Sequence, residues 1–342
     1  MSLLLCDSFD HYATADIAKK WTTNVSASCT ISASNGRHSS GSMQTSGGGG
    51  LLKTLSSAPA SFVMGVAVSL SAFTGASRTL FSLQDASSSQ CDVRINSDGT
   101  LSVTRAGTAL TSGTSVNALA TGTFYFIEWK VTIADSIGAS SCVVKVNGVT
   151  WITVATAQDT KATANATANQ IILGPTSSVS GTWTFDDFYL CDQSGSAPQN
   201  DFLGDCRIDC QFPNGDGSNS DFTCSTGSTH YTLVDESTPN TSDYVESSTV
   251  SQKDTWNFAN LSAITGTIYG VQVCTAALKD DAGARSLANT VKSSSTNADG
   301  ATQALSTSQL YYLDIFPTDP NTAAAWTESN FNAAEFGVKV AA

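Results

Sequence analysis

The sequence is poor in charged residues, and in basic residues above all. Charged residues make up 13% of its 342 positions, against roughly 25% in an average globular protein. Only 16 Lys and Arg stand against 29 Asp and Glu, which gives a formal net charge of -13. Binding nucleic-acid phosphates needs clustered basic residues, so nucleic acid is excluded as a partner. An acidic surface leaves neutral glycans, divalent cations or a basic protein as partners.

Long apolar runs are also missing. The longest, near residues 62–70, is far below the roughly 18 residues that a membrane span needs. Residues 1–7 contain no basic segment, and their apolar run stops at Asp7, so no secretory signal is predicted. We therefore expect synthesis in a cytoplasm and no membrane partner.

Catalytic signatures are scarce. Three histidines are present, and no Gly-x-Ser-x-Gly or Cys-x-x-Cys motif occurs, so neither a nucleophilic triad nor a zinc site is predicted. Glycosidases need two carboxyl groups roughly 5 to 9 Å apart. Glu128 is the only Glu of the N-terminal half, and Phe126 and Lys130 neighbour it on its strand face. The sequence thus predicts no enzyme, no catalytic residues, no metal and no cofactor.

Nine cysteines are many for a cytoplasmic protein. One interpretation is reduced, mostly buried thiols that act as small hydrophobic side chains. The other is that some pair in an oxidising exterior, and the odd count then leaves one over. The disulfide candidates, with the pairing left open, are Cys191, Cys206, Cys210, Cys224 and Cys274.

The dominant local pattern is short β-like runs separated by turn residues. In residues 123–133, Tyr125, Ile127, Trp129, Val131 and Ile133 share one face, which is predicted to be the core face. Asn147-Gly148 between two such runs is a strong hairpin signal. The best helical candidate, residues 13–21, is one or two turns long, so the fold class is all-β and a sandwich or jelly roll is expected.

A polar segment with Gly and Pro at residues 191–200 marks a domain boundary. It divides the chain into residues 1–195, an N-terminal jelly-roll sandwich, and residues 196–342, a smaller β-rich module. In the second module, Trp326, Tyr311 and Tyr312 are predicted to anchor an interface, because they are dense aromatics near the chain end.

Asp186 and Asp187 are the candidate ligand-binding residues. Neighbouring side chains of a regular strand point to opposite faces, so only one of the two would line a given site. Either they make turn and edge hydrogen bonds, or one of them contacts a glycan or a Ca²⁺ ion, which prefers oxygen ligands.

The end of the first domain resembles the laminin-G and concanavalin-A-like jelly-roll superfamily. The resemblance rests on residues 124–133, 144–149 and 183–190. A more specific resemblance, over almost the whole chain, is to a family of tailed-phage virion proteins. It rests on residues 7–12, 185–190, 200–205, 213–217, 279–283 and 333–338.

The phage resemblance implies a structural component of the head, neck or tail, displayed on the virion surface. Its expected partners are other virion proteins, copies of itself in a homo-oligomer for which a trimer is the hypothesis, and a host surface glycan. The alternative function is a carbohydrate-binding adhesin or receptor-binding protein, and a glycoside hydrolase ranks third.

Overall fold

The computed structural model describes residues 3–138, 140–262 and 264–342. The chain divides into two compact units, Met1–Ile208 and Asp209–Ala342, called unit 1 and unit 2 below. The predicted boundary after Gly195 is thus placed too early. Residues 201–208 belong to unit 1 because they make hydrogen bonds to its side chains, which are described with the site.

Unit 1 is built almost wholly from antiparallel strands. The one α-helix among its described residues, α1 (Ile17–Lys20), follows a 3-10 turn at Thr14–Asp16, as the short helical pattern predicted. Further 3-10 turns lie at Val25–Ala27 and Arg37–Ser39. The strands are β1 (Leu3–Asp7), β2 (Thr23–Asn24), β3 (Cys29–Ser32), β4 (Ser42–Thr45), β5 (Leu51–Thr54), β6 (Ser61–Leu70), β7 (Arg78–Asp85), β8 (Ser88–Ile95), β9 (Thr100–Arg105), β10 (Thr108–Ala118), β11 (Tyr125–Thr132), β12 (Cys142–Val146), β13 (Val149–Thr153), β14 (Gln170–Leu173) and β15 (Trp183–Cys191).

These strands form two sheets around one core, which confirms the predicted all-β jelly-roll sandwich. The first sheet has the order β13-β12-β11-β6-β15-β4-β3, with β1 also paired to β15. The second has the order β10-β9-β8-β7-β14-β5-β2. Between them, the rings of Trp129 and Phe81 stack at 6.4 Å. Ile127, Trp129, Val131 and Ile133 are buried as predicted for the core face of β11.

Unit 2 is a smaller β module. A six-stranded sheet runs β16-β19-β25-β21-β22 with β23 on β21, while β17 pairs β18 and β20 pairs β24. A 3-10 turn lies at Tyr231–Leu233. The elements are β16 (Pro213–Ser220), β17 (Thr223–Cys224), β18 (Val245–Glu246), β19 (Lys253–Phe258), β20 (Val271–Ala277), β21 (Ser286–Ser293), β22 (Thr296–Asp299), β23 (Gln303–Ala304), β24 (Leu310–Phe316), α2 (Glu328–Asn332) and β25 (Glu335–Val340).

The aromatic residues predicted as interface anchors lie inside unit 2, so that prediction is wrong as it stands. Trp326 is 3% exposed, packs against Phe336, and donates its indole N–H to the Phe316 carbonyl at 2.9 Å. Tyr311 and Tyr312 are buried as well, and the Tyr312 hydroxyl accepts the Ser306 N–H. Trp326 and Tyr312 each belong to a hydrophobic core cluster of this unit, and Tyr311 is buried as well, so none of the three lies on the surface.

Candidate functional site

The outer face of the eight-stranded sheet carries a polar cluster that begins at Glu128. Phe126 and Glu128 lie on the face of β11 that points away from the core, yet they are only 2% and 1% exposed. Glu128 pairs with Gly65 of β6, and Gly65 pairs with Tyr189 of β15. A Cβ at position 65 would collide with the Tyr189 ring. The absent side chain therefore lets Tyr189 reach across β6 and donate its hydroxyl to Glu128 Oε1 at 2.6 Å.

A bulge in β15 sets the positions of Asp186 and Asp187. Asp186 pairs with Ala67 and Tyr189 with Gly65, so three steps on β15 match two on β6. Asp187 takes up the extra residue with a φ of 51°, a left-handed conformation. Both carboxylates consequently contact Arg37: Asp186 Oδ2 accepts its backbone N–H at 2.7 Å, and Asp187 Oδ2 lies 3.4 Å from its guanidinium. The expectation that the two side chains point to opposite faces is wrong, because it assumed a regular strand.

Arg37 joins the parts of this cluster. Its guanidinium bonds Asp205 Oδ1 at 2.7 Å and lies 5.5 Å from the centre of the Phe126 ring. The chain just after the turn that carries Arg37 is held by Asp10, whose Oδ1 accepts the Gly41 N–H at 2.5 Å. Arg37 therefore connects the β15 bulge to the segment that follows residue 200.

That segment, residues 201–208, crosses the sheet face and is called the strap below. Its backbone N–H groups donate to the sheet side chains: Leu203 to the Tyr189 hydroxyl at 3.3 Å, Gly204 to Glu128 Oε1 at 2.8 Å, and Ile208 to Asp187 Oδ1 at 2.8 Å.

The start of the strap is held by lysines. Asp201 bonds Lys130 Nζ at 3.1 Å, and Lys145 Nζ lies 4.1 Å from the centre of the Phe202 ring. The strap thus covers Glu128, while the Tyr189 ring and the Arg37 guanidinium lie against Phe126, on a face that the strand pattern assigns to solvent.

Burial governs the protonation of the cluster. Burial and the neighbouring Asp187 raise the pKa of Asp186 to about 7. Burial also raises the pKa of Asp187, against the opposing effects of the Ile208 N–H and Arg37. Cys206 lies among these carboxylates, and burial together with the charge of Glu128 raises its pKa to about 12. Near neutral pH, Asp186 is therefore about half protonated, and the Cys206 thiol is protonated.

A second buried polar cluster lies behind the first and was not foreseen from the sequence. Asp7 bonds Lys20 Nζ at 2.9 Å, and both side chains are at most 1% exposed. Asp7 Oδ2 also accepts the Tyr12 hydroxyl at 2.8 Å and the Trp21 indole N–H at 2.9 Å. The local sequence carries no signal of this pair, because adjacent residues such as Lys20 and Trp21 do not share one face of a helix.

The predicted ligand-binding and disulfide residues can now be placed. Asp186 and Asp187 lie in the cluster beneath the strap. Donors of unit 1 bond Asp186 Oδ2 and Asp187 Oδ1, so a glycan or Ca²⁺ contact at these two atoms requires displacement of the donors. Within the described ranges, no three His, Cys, Asp or Glu side chains are grouped to hold a metal ion. Cys191 and Cys206 belong to unit 1, and Cys210, Cys224 and Cys274 to unit 2. In the described part of the chain, no disulfide joins Cys191, Cys206 or Cys224.

Comparison with known proteins gives structural neighbours only. No family model matches the sequence, and no curated protein matches it. Among solved structures, a Trypanosoma rangeli sialidase in complex with 2,3-difluorosialic acid is similar over 50% of this chain and 28% of its own, at 10% identity and a TM-score of 0.36. The cellulose-induced protein Cip1 is similar over 54% of this chain and 96% of its own, at 14% identity and a TM-score of 0.40. The alginate lyase Aly36B is similar over 54% and 95%, at 12% identity and a TM-score of 0.39.

These neighbours correct one expectation. The prediction that the chain is not an enzyme rested on the missing carboxylate pair and the missing triad, and it is contradicted, since the structures similar to the chain include a sialidase and an alginate lyase. The likeness concerns the fold and assigns no activity or substrate to this chain, and the match spans only about a quarter of the sialidase. No helix among the described residues has the length and apolar character needed to cross a membrane.

Proposed function

We propose that the chain is a structural protein of the outer surface of a tailed-bacteriophage particle, in the head, neck or tail. The proposal comes from the six sequence segments that resemble phage virion proteins. Its support in unit 1 is that three of those segments, distant in sequence, converge on the turn that carries Arg37.

Each of the three segments has a definite contact there. Residues 7–12 supply Asp10, which accepts the Gly41 N–H behind the turn. Residues 185–190 supply Asp186 and Asp187, which bind the Arg37 backbone and guanidinium. Residues 200–205 supply Asp205, which bonds the outer edge of the same guanidinium. The resemblance therefore falls on residues that determine the architecture of unit 1, as is expected where a family shares a scaffold.

The test is the location of the protein on a particle. Phage particles from a lysate that encodes the chain are banded on a density gradient, and each fraction is analysed by mass spectrometry. Antibodies against unit 1, with gold labels, then locate the protein by electron microscopy. We expect it in the particle band, with labels on the outer surface. Recovery of the chain only in the soluble fractions would refute the proposal.

Glycan contact at the sheet face is a second candidate function. Phe126 and Tyr189 stack there at 6.2 Å beside Arg37 and two buried carboxylates. Aromatic rings with a few convergent polar groups are the usual lining of small-ligand sites. The strap covers this face, so a glycan reaches it only when the strap is displaced.

A variant can displace the strap. Gly204 has a φ of 84° and gives its N–H to Glu128, whereas proline fixes φ near -65° and has no N–H. On a glycan array, Gly204→Pro should bind sugars that the unaltered chain binds weakly. Gly227→Pro, at a φ of 66° in unit 2, is the matched control. Equal array profiles for the two variants would argue against a glycan site at this face.

A further inference from the structure

The strap is bound to unit 1 through side chains of the sheet and through Arg37 of the adjoining 3-10 turn. The contacts described above run in order along the strap: Asp201 with Lys130, Phe202 with Lys145, Leu203 with Tyr189, Gly204 with Glu128, Asp205 with Arg37 and Ile208 with Asp187. The strap forms no strand, so it is not held by a β ladder. The strap is attached by contacts of its individual residues with the face. The strap of another copy has the same residues and could make the same contacts.

Charge supports a second copy as the occupant. The net charge of -13 makes copies of this chain repel one another in general. The sheet face is an exception, because its Lys130 and Arg37 form ion pairs with the strap residues Asp201 and Asp205. The strap and the face are therefore complementary surfaces within one acidic chain.

The connection to the strap has enough length for exchange. Strand β15 ends at Cys191, and residues 192–200 precede the strap. Nine extended residues span up to about 30 Å. The start of this connection is tied to the sheet, since the Gln193 amide donates to the Phe62 carbonyl at 2.8 Å. The residues beyond it include Gly195 and Pro198, and connections of this kind serve as hinges in exchanged assemblies.

We propose that the strap exchanges between copies, so that residues 201–208 of one copy dock on the sheet face of a second copy through these same contacts. A short tether gives the strap an effective concentration in the millimolar range for its own face. Self-docking accordingly dominates in dilute solution, and exchange dominates where copies are crowded or where the tether is too short. The proposal concerns the purified chain and is independent of the proposed place on a particle.

The first test distinguishes the two kinds of docking by isotope. A photoreactive benzoylphenylalanine replaces Phe202, and equal amounts of ¹⁵N-labelled and unlabelled chain are mixed, equilibrated and irradiated. Cross-links to the peptide that contains Lys145 are then sorted by mass. We expect same-isotope products at about 1 µM and a rising share of mixed-isotope products toward about 1 mM. The same probe at Tyr244, which is 46% exposed in unit 2, reports non-specific cross-linking.

Same-isotope products alone at every concentration would overturn the proposal.

A pair of charge reversals provides a second test. Lys130→Glu places an acid opposite Asp201, and Asp201→Lys places a base opposite Lys130, so each variant repels its own strap. In a mixture of the two, reciprocal exchange restores two opposite-charge pairs. We expect at least about fivefold more cross-linking between the variants in the mixture than between copies in either variant alone, as two exposed ion pairs imply. Equal cross-linking in the mixture and in the single variants would refute exchange.

Discussion

The buried pair Asp7 and Lys20 offers the sharpest prediction about stability. We expect Asp7→Asn to lower the free energy of unfolding of unit 1 by about 3 to 5 kcal/mol, because it leaves the Lys20 ammonium buried without its counter-ion. The substitution preserves shape, and an amide oxygen can still accept from Tyr12 and Trp21. The loss of stability therefore reports the effect of removing the carboxylate charge of Asp7.

The other variants of the pair follow from the same geometry. Lys20→Met leaves the Asp7 carboxylate with donors from Phe9 N–H, Tyr12 and Trp21, so its cost should lie at the lower end of that range. The double variant contains no buried charge at this pair, and its cost should be about 1 to 2 kcal/mol, far below the sum. Asp135→Asn, which breaks a pair whose carboxylate side chain is 76% exposed, is the control and should change stability by less than about 0.5 kcal/mol.

The assay is equilibrium unfolding in urea, with a readout specific to unit 1. Cys29, Cys91 and Cys191 are fully buried in unit 1, so their reaction with a thiol reagent reports the opening of that unit. A loss below about 1 kcal/mol for Asp7→Asn, or additive losses in the double variant, would show that the pair is not the buried interaction described here.

The same pair has a pH signature. Burial opposes ionisation of Asp7, yet Lys20, His11 and the Phe9 N–H bring its pKa below the ordinary value of 3.8. A carboxyl whose folded pKa is lowered contributes stability above its unfolded pKa and loses it as the pH falls below that value. Acid unfolding of the unaltered chain should therefore include a loss below about pH 4 that Asp7→Asn lacks.

Three further predictions concern the site and its surroundings. Asp186 has a folded pKa of about 7 against an ordinary 3.8, so the free energy of unfolding of unit 1 should fall as the pH rises from about 4 to 7. In urea titrations, Asp186→Asn should reduce this dependence on pH, and an unchanged dependence would contradict the raised pKa. Cys29 and Cys142, whose pKa burial raises to about 12, should resist a thiol reagent at pH 8 until urea unfolds the chain, whereas rapid labelling in buffer would contradict their burial. Limited proteolysis should cut first within residues 192–200, the polar connection with Gly and Pro; a first cut inside a sheet would contradict the assignment of that segment as the accessible one.

The sequence by itself determined the fold class and most local elements. Alternation of polar and apolar residues identified the core face of β11, and Asn147-Gly148 identified the hairpin between β12 and β13. The short α1 also follows from the helical pattern of residues 13–21. These predictions hold because side-chain period and turn chemistry are properties of a few neighbouring residues.

Only the tertiary structure decided the rest. The bulge that turns Asp186 and Asp187 toward one arginine depends on pairing with β6, and nothing in the two residues themselves announces it. Burial of Glu128 depends on a strap more than 70 residues away in the sequence. Trp326 is a core residue because Phe336 and Phe316 lie around it, although its local sequence reads as a loop. In each case the deciding contact joins segments that are distant along the chain, and local pattern carries no information about which distant segments will meet.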